Sequence, residues 1–263
     1  MVEVRGRAAL PFTGVERTCS YCPTFPLSAR RGDNADMTAT LIAALVIALA
    51  CVVGAEPRLL GRRWPPYLLS AGAGIGIAYV VVHLLPEIAI GAEIVRRSTE
   101  GRLPYAELHA YLLVLIGIIG TLFLRGLQTG RHGMTPHPRV RIVQPALSAL
   151  IVGYLLSVRD DTELGPIFLF TLAIGLHVAL NAHGLAVKLG SPQGGLVLAA
   201  AIAGGYALGM GWSAPPVVIA GLVALLAGGV MTRTIHEILD EESHLVALTV
   251  GASLEAALLL GVT

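Results

Sequence analysis

His177, Asn181, His183 and Gly184 fall within one long apolar run, in the order His177-Val178-Ala179-Leu180-Asn181-Ala182-His183-Gly184. On a helix, His177 and Asn181 project from one face, and Gly184 opens space on that face a turn later. An imidazole nitrogen and an amide oxygen make half of a zinc site, because zinc takes three or four N, O or S donors. Other helices must supply the rest. His183 is turned by about 240° from His177 and points elsewhere, though it is a further candidate ligand. The competing reading is that His177 and Asn181 hydrogen-bond between helices. Polar groups at mid-membrane depth are costly enough that function is the default reading of such positions.

Two further clusters stand at the ends of apolar runs. His83 and Glu87 are four apart beside Pro86, a residue expected to break or kink the helix, and together they suit an entrance site for a cation. His236 with Asp240, and Glu237 with Glu241, form a matching acidic cluster that suits an exit or regulatory site. The alternatives are an interfacial His with a solvated carboxylate, and a solvated loop of charges. Arg233 lies within a turn of the apolar run before His236 and Glu255 lies near the middle of the last run, so each needs a partner. Arg233 either supplies a fixed positive charge where a cation would otherwise sit, or snorkels to the interface.

The elements that must position these residues are membrane helices. Of 263 residues, 55% are hydrophobic and 13% charged, with a mean hydropathy of +0.75. A soluble domain carries about 25% charged residues, so aqueous enzyme folds are excluded first. A formal charge of +1, with Lys188 the sole lysine among 18 basic residues, offers no basic stripe for nucleic acid. Charge-poor runs at 38–55, 66–85, 108–124, 142–158, 166–187, 196–212, 214–232 and 245–262 read as eight spans. Their Gly, Ala and Leu content suits helices that satisfy their own backbone and pack closely. The expected fold is therefore an all-α integral membrane protein, one domain over 37–263 with a cytoplasmic loop near 125–141.

Residues 1–36 differ, with five Arg, four acids, three Pro and the Cys19/Cys22 pair. They read as a disordered tail or as a mis-assigned start, with Met37 directly before the first span. Cytoplasmic loops collect Lys and Arg. With the N-terminus outside, inner loops and helix ends hold Arg58, Arg62, Arg63, Arg125, Arg131, Arg139, Arg141, Lys188 and Arg233, against outer Arg96, Arg97, Arg102 and Arg159. Both termini are thus expected outside, in a plasma (inner) membrane.

The second run ends Ala73-Gly74 through His83-Leu84-Leu85-Pro86-Glu87, and the seventh contains Ala227-Gly228-Gly229 through His236-Glu237-Ile238-Leu239-Asp240-Glu241. Runs two and seven point in opposite directions, as in transporters with inverted repeats. With eight spans and this order of motifs, 37–263 resembles the ZIP family of divalent-metal transporters. The resemblance implies a ZIP-like inverted-repeat arrangement, a His-bearing cytoplasmic segment at His132 and His137, and zinc or a related first-row metal as substrate. The family's fifth-span pattern, His-Glu-x-Pro-His-Glu and then Gly after one more residue, is matched by His177 and Gly184. Asn181 stands where the second His is expected, and Val178, Leu180 and Ala182 replace Glu, Pro and Glu. The fourth-span pattern His-Asn-x-x-Asp-Gly, aligned on Gly153, falls on Ser148, Ala149 and Val152. The two-metal centre of the family is therefore dismantled in this chain.

The expectation is a transporter, with His83, Glu87, His177, Asn181, His183, His236 and Glu237 as metal-binding candidates, no resident cofactor, and the lipid bilayer and a divalent ion as partners. A homodimer is compatible with the many small residues. One alternative is a non-transporting or regulatory protein on the same scaffold; another is a membrane redox protein binding haem noncovalently through His83, His177, His183 or His236. No enzyme is expected. Gly251-Ala252-Ser253-Leu254 lacks the Gly that follows an intramembrane serine nucleophile, and 159–163 is one isolated acidic loop.

Overall fold

The computed structural model describes residues 34–56, 66–98, 105–129, 140–159, 164–239 and 244–262. The Cys19/Cys22 pair, His132, His137, Asp240 and Glu241 lie outside them, as does most of the 1–36 segment. All described regular structure is helical: α1 (Asn34–Ala55), α2 (Pro66–Tyr79), a π turn (Val80–Leu84), α3 (Leu85–Ser98), α4 (Ala106–Thr129), α5 (Val140–Ser157), α6 (Leu164–Leu189), α7 (Gln193–Gly211), α8 (Pro216–Ile238) and α9 (Leu245–Val262). The protein is an all-α membrane protein. Six of its helical segments are long and apolar enough to cross a bilayer, while the apolar parts of α5 and α9, Ile142–Ser157 and Leu245–Gly261, are shorter. Large apolar side chains such as Leu45, Leu49, Ile119 and Phe123 are exposed on the outside of the bundle, as lipid-facing residues are.

Two boundaries differ most from the sequence reading. The second helix does not break at Pro86. It widens into a π turn in which the Leu85 N–H reaches the Val80 carbonyl, and then continues through Pro86 to Ser98. A proline has no N–H to give, so a turn of wider register lets the helix pass it without a break. The eighth helix likewise runs on to Ile238, which puts Arg233 and His236 on a helix rather than in a loop.

Close approach at glycine decides which helices pair. Gly205 faces the Leu150 carbonyl and Tyr154 N, Gly153 faces Ile202, and Gly209 faces Tyr154 and Ser157, so α5 and α7 run parallel with backbones in contact. In the same manner Gly175 meets Ile47 and Gly54 meets Ala179 (α1 with α6), and Leu113, Gly117 and Thr121 follow Gly221, Leu225 and Gly229 (α4 with α8). Gly74 meets Leu248 and Ala252, and the His244 N–H donates to the Ser70 hydroxyl, which sets α9 parallel to α2. Small residues replace the hydrophobic drive that lipid abolishes, since dispersion and weak polar contacts need short interhelical distances. Helices α1 and α7 cross antiparallel, pinned by Thr40 Oγ1 to the Tyr206 hydroxyl at 3.0 Å.

The helices therefore sort into two groups. One contains α1, α5, α6 and α7; the other contains α2 with α3, α4, α8 and α9, and contacts between the groups are sparser than those within them.

Candidate functional site

The polar side chains collect along the seam between the two groups. At mid-depth, α6 turns His177 toward α2 and α8: a Cβ on Gly76 would lie 3.1 Å from Thr234 Oγ1 and 3.9 Å from His177 Nδ1. Arg233, on α8, is close enough to act electrostatically on His177. The same guanidinium occupies the space that Gly184 leaves, with Nη2 3.2 Å from where a Cβ would stand. Because His177 and Gly184 both face α8, Asn181 between them belongs to the same face. Its Oδ1 is buried with no hydrogen-bond partner among the described residues. The opening expected at Gly184 thus exists, and an arginine fills it.

His183 goes elsewhere. It turns to α1, where its ring hydrogen-bonds to the backbone of Gly54, and it is 9% exposed. The contact ties α6 to α1 inside one helix group. His183→Ala should cost about 1 kcal/mol of stability through the lost hydrogen bond while leaving zinc binding unchanged, as thermal unfolding and metal titration of the detergent-solubilised protein would report.

At one end of the seam, a cavity opens between the groups. It is lined by Glu87, Ile88 and Gly91 of α3, Leu155 of α5, Arg159 just beyond α5, Phe170 of α6 and Pro216, Ile219 and Val223 of α8, among others. His83 Nε2 is 4.0 Å from Glu87 Oε2 on the same helical face, so the pair forms at the cavity. The Arg159 guanidinium stands 5.1 Å over the Phe170 ring, a cation–π contact that holds it at the mouth. Tyr79 packs its ring 5.1 Å from that of His83 and edge-on to Phe170, and its hydroxyl is in electrostatic reach of Arg159, Glu87 and Glu255. Glu255, on α9, is 1% exposed, and its Oε1 has no hydrogen-bond partner among the described residues.

His236 is exposed on the last turn of α8, away from this cavity. Glu237 is on the same turn, and its side chain lies outside the described set. The expected pairing of these two with Asp240 and Glu241 falls on undescribed residues. Among the described residues no three His, Cys, Asp or Glu side chains come together around one point. His83 with Glu87 and His177 with Asn181 are therefore two separate polar pairs on one seam.

Sequence reasoning passed over Tyr79, Thr234, Gly76 and the inward role of Arg159. Tyr79 had a signal, its spacing of four from His83, but an aromatic in an apolar run reads as core. Arg159 counted only as a loop charge. Compared with known protein families and with curated proteins, the chain matches no family model and no curated sequence.

Proposed function

We propose that the protein is a ZIP-like membrane carrier of a divalent metal cation, zinc or a related first-row metal, that works by movement of one helix group against the other. The observation that carries this reading is the pairing pattern. Exchanging α1 with α7, the α2–α3 rod with α8, α4 with α9 and α5 with α6 turns α1·α6 into α7·α5 and α2·α9 into α8·α4. Every close parallel pair maps onto another close parallel pair. That is the behaviour of a chain built from two repeats of opposite topology, in which substrate sites lie at the repeat interface. Here α6, in the second repeat, turns His177 toward Gly76 of α2, in the first, and the cavity at Glu87 opens at one end of the same seam.

The same pattern supports eight crossings. Helices α5 and α9 each have 18 residues, about 27 Å at 1.5 Å per residue, near the roughly 30 Å of a hydrocarbon core. Each also pairs along its length with a helix long enough to cross. The arginine bias of the loops supports a cavity end that opens outside, with both termini on that side.

One observation favours a second reading, a non-transporting or regulatory member on this scaffold. Arg233 puts a positive charge beside the imidazole that a metal would use. Zinc uptake into proteoliposomes separates the two. Uptake by the wild type that disappears in His177→Ala at equal reconstitution supports the carrier, whereas no uptake by folded wild type, against a metal-free control, supports the scaffold.

A further inference from the structure

Glu255 plays no part in the metal reading, yet it is the most deeply buried acid described, with an exposure of 1%. A carboxylate held there without a partner costs several kcal/mol, and proteins in membranes keep such groups where protons or ions move. Its place in the fold is specific. The contacts of Ser70 with His244 and of Gly74 with Leu248 and Ala252 set the register of α9 along α2. Carried one turn further, that register brings Glu255 level with Ala78 and Tyr79, at the start of the π turn. Tyr79 in turn packs edge-on against Phe170, which lines the cavity.

We infer that Glu255 is a proton-binding site, loaded and unloaded from the cavity past Phe170 and Tyr79. One proton taken up from the cavity leaves a neutral carboxyl at Glu255, and the reverse step returns it; no bond other than O–H bonds is made or broken. The groups facing Glu255 are few. On α2 it is Tyr79, which is itself in electrostatic reach of Glu87 on α3 and Arg159 after α5 and has His83 of the π turn against its ring. The titratable group that α6 presents to the seam, His177, answers to Arg233 instead.

Proton binding at Glu255 does not depend on metal transport, and its test needs no metal. Infrared difference spectra of the reconstituted protein, recorded between acidic and alkaline buffer, should show a protonated carboxyl band that weakens as pH rises and shifts on transfer to deuterium oxide. The band should vanish in Glu255→Gln and move in Glu255→Asp, the latter retaining the acid should the former fail to fold. Tyr79→Phe should slow the deuterium shift of that band at least severalfold without abolishing it. A carboxyl band that follows neither pH nor deuterium in folded protein, or one untouched by both Glu255 substitutions, overturns the inference. Zinc uptake that fails while the band behaves as expected overturns the carrier reading and leaves the proton site standing.

Discussion

Gly205→Val should leave the protein unable to assemble its α5–α7 pair, seen as loss of the monodisperse species in detergent and of cooperative thermal unfolding. A Cβ at Gly205 meets the Leu150 carbonyl and the Tyr154 nitrogen, which are backbone atoms of a facing helix and not side-chain ends that can turn away. Overpacking absorbed by side chains costs about 1–3 kcal/mol, and here the whole helix has to retreat, so the cost exceeds that range. A loss above about 3 kcal/mol consumes much of the roughly 5–15 kcal/mol that holds a typical protein folded. The adjacent residue is the control. Gly204 has nothing within 4 Å of its Cβ position and faces outward, so Gly204→Ala should be neutral or stabilising by about 0.5–1 kcal/mol through helix propensity. Equal damage from both would show that the close approach of α5 and α7 is not what holds this part of the bundle.

The second large effect is expected at Arg233. Its guanidinium sits against Gly184 and within electrostatic reach of His177. A dication at His177 would therefore bind beside a fixed positive charge of the same sign. At the effective dielectric of about 20 that suits protein sites, repulsion between charges a few ångströms apart amounts to several kcal/mol before relaxation. Arg233→Gln should accordingly raise zinc affinity by about tenfold or more, since each tenfold corresponds to only about 1.4 kcal/mol. Isothermal titration of zinc into Arg233→Gln, and into Arg233→Gln combined with His177→Ala, measures it. The gain should appear in the first and be absent from the second. Unchanged affinity and ion selectivity in Arg233→Gln, with the fold intact, would remove the idea that this arginine stands in for a cation and leave an arginine that reaches the interface.

These two residues also mark the boundary of what could be read without coordinates. The apolar runs are long enough that each had to become a helix, so the helices at 34–55, 164–189, 193–211 and 245–262 fall within a few residues of the expected limits. Runs two and seven were read too short. Their continuations carry Glu93, Arg96 and Arg97, and Arg233 and His236, which a hydropathy reading takes as loop; the helix keeps going because backbone hydrogen bonds do not depend on side-chain polarity. In α3 the polar residues pair with one another on its surface, with Arg96 Nε 2.6 Å from Glu93 Oε2.

The spacing of four between His177 and Asn181 and between His83 and Glu87 also stood in the sequence, and period alone put each pair on one helical face. What stood across from them did not. Pairing of distant helices is decided where glycines let backbones touch, and a glycine in a run of Gly, Ala and Leu does not announce its partner; Gly205 could have met any small-residue face. Sequence by itself thus determined a helical membrane protein, its apolar elements and the spacing of two polar pairs. Only the tertiary structure decided that the pairs lie along one seam, that His183 turns away to Gly54, that Arg233 fills the space at Gly184, and that Glu255 comes level with Tyr79. The physical reason is that helix formation and lipid exposure are properties of each segment alone, whereas burial of a polar group depends on the register of two helices that lie far apart in the chain.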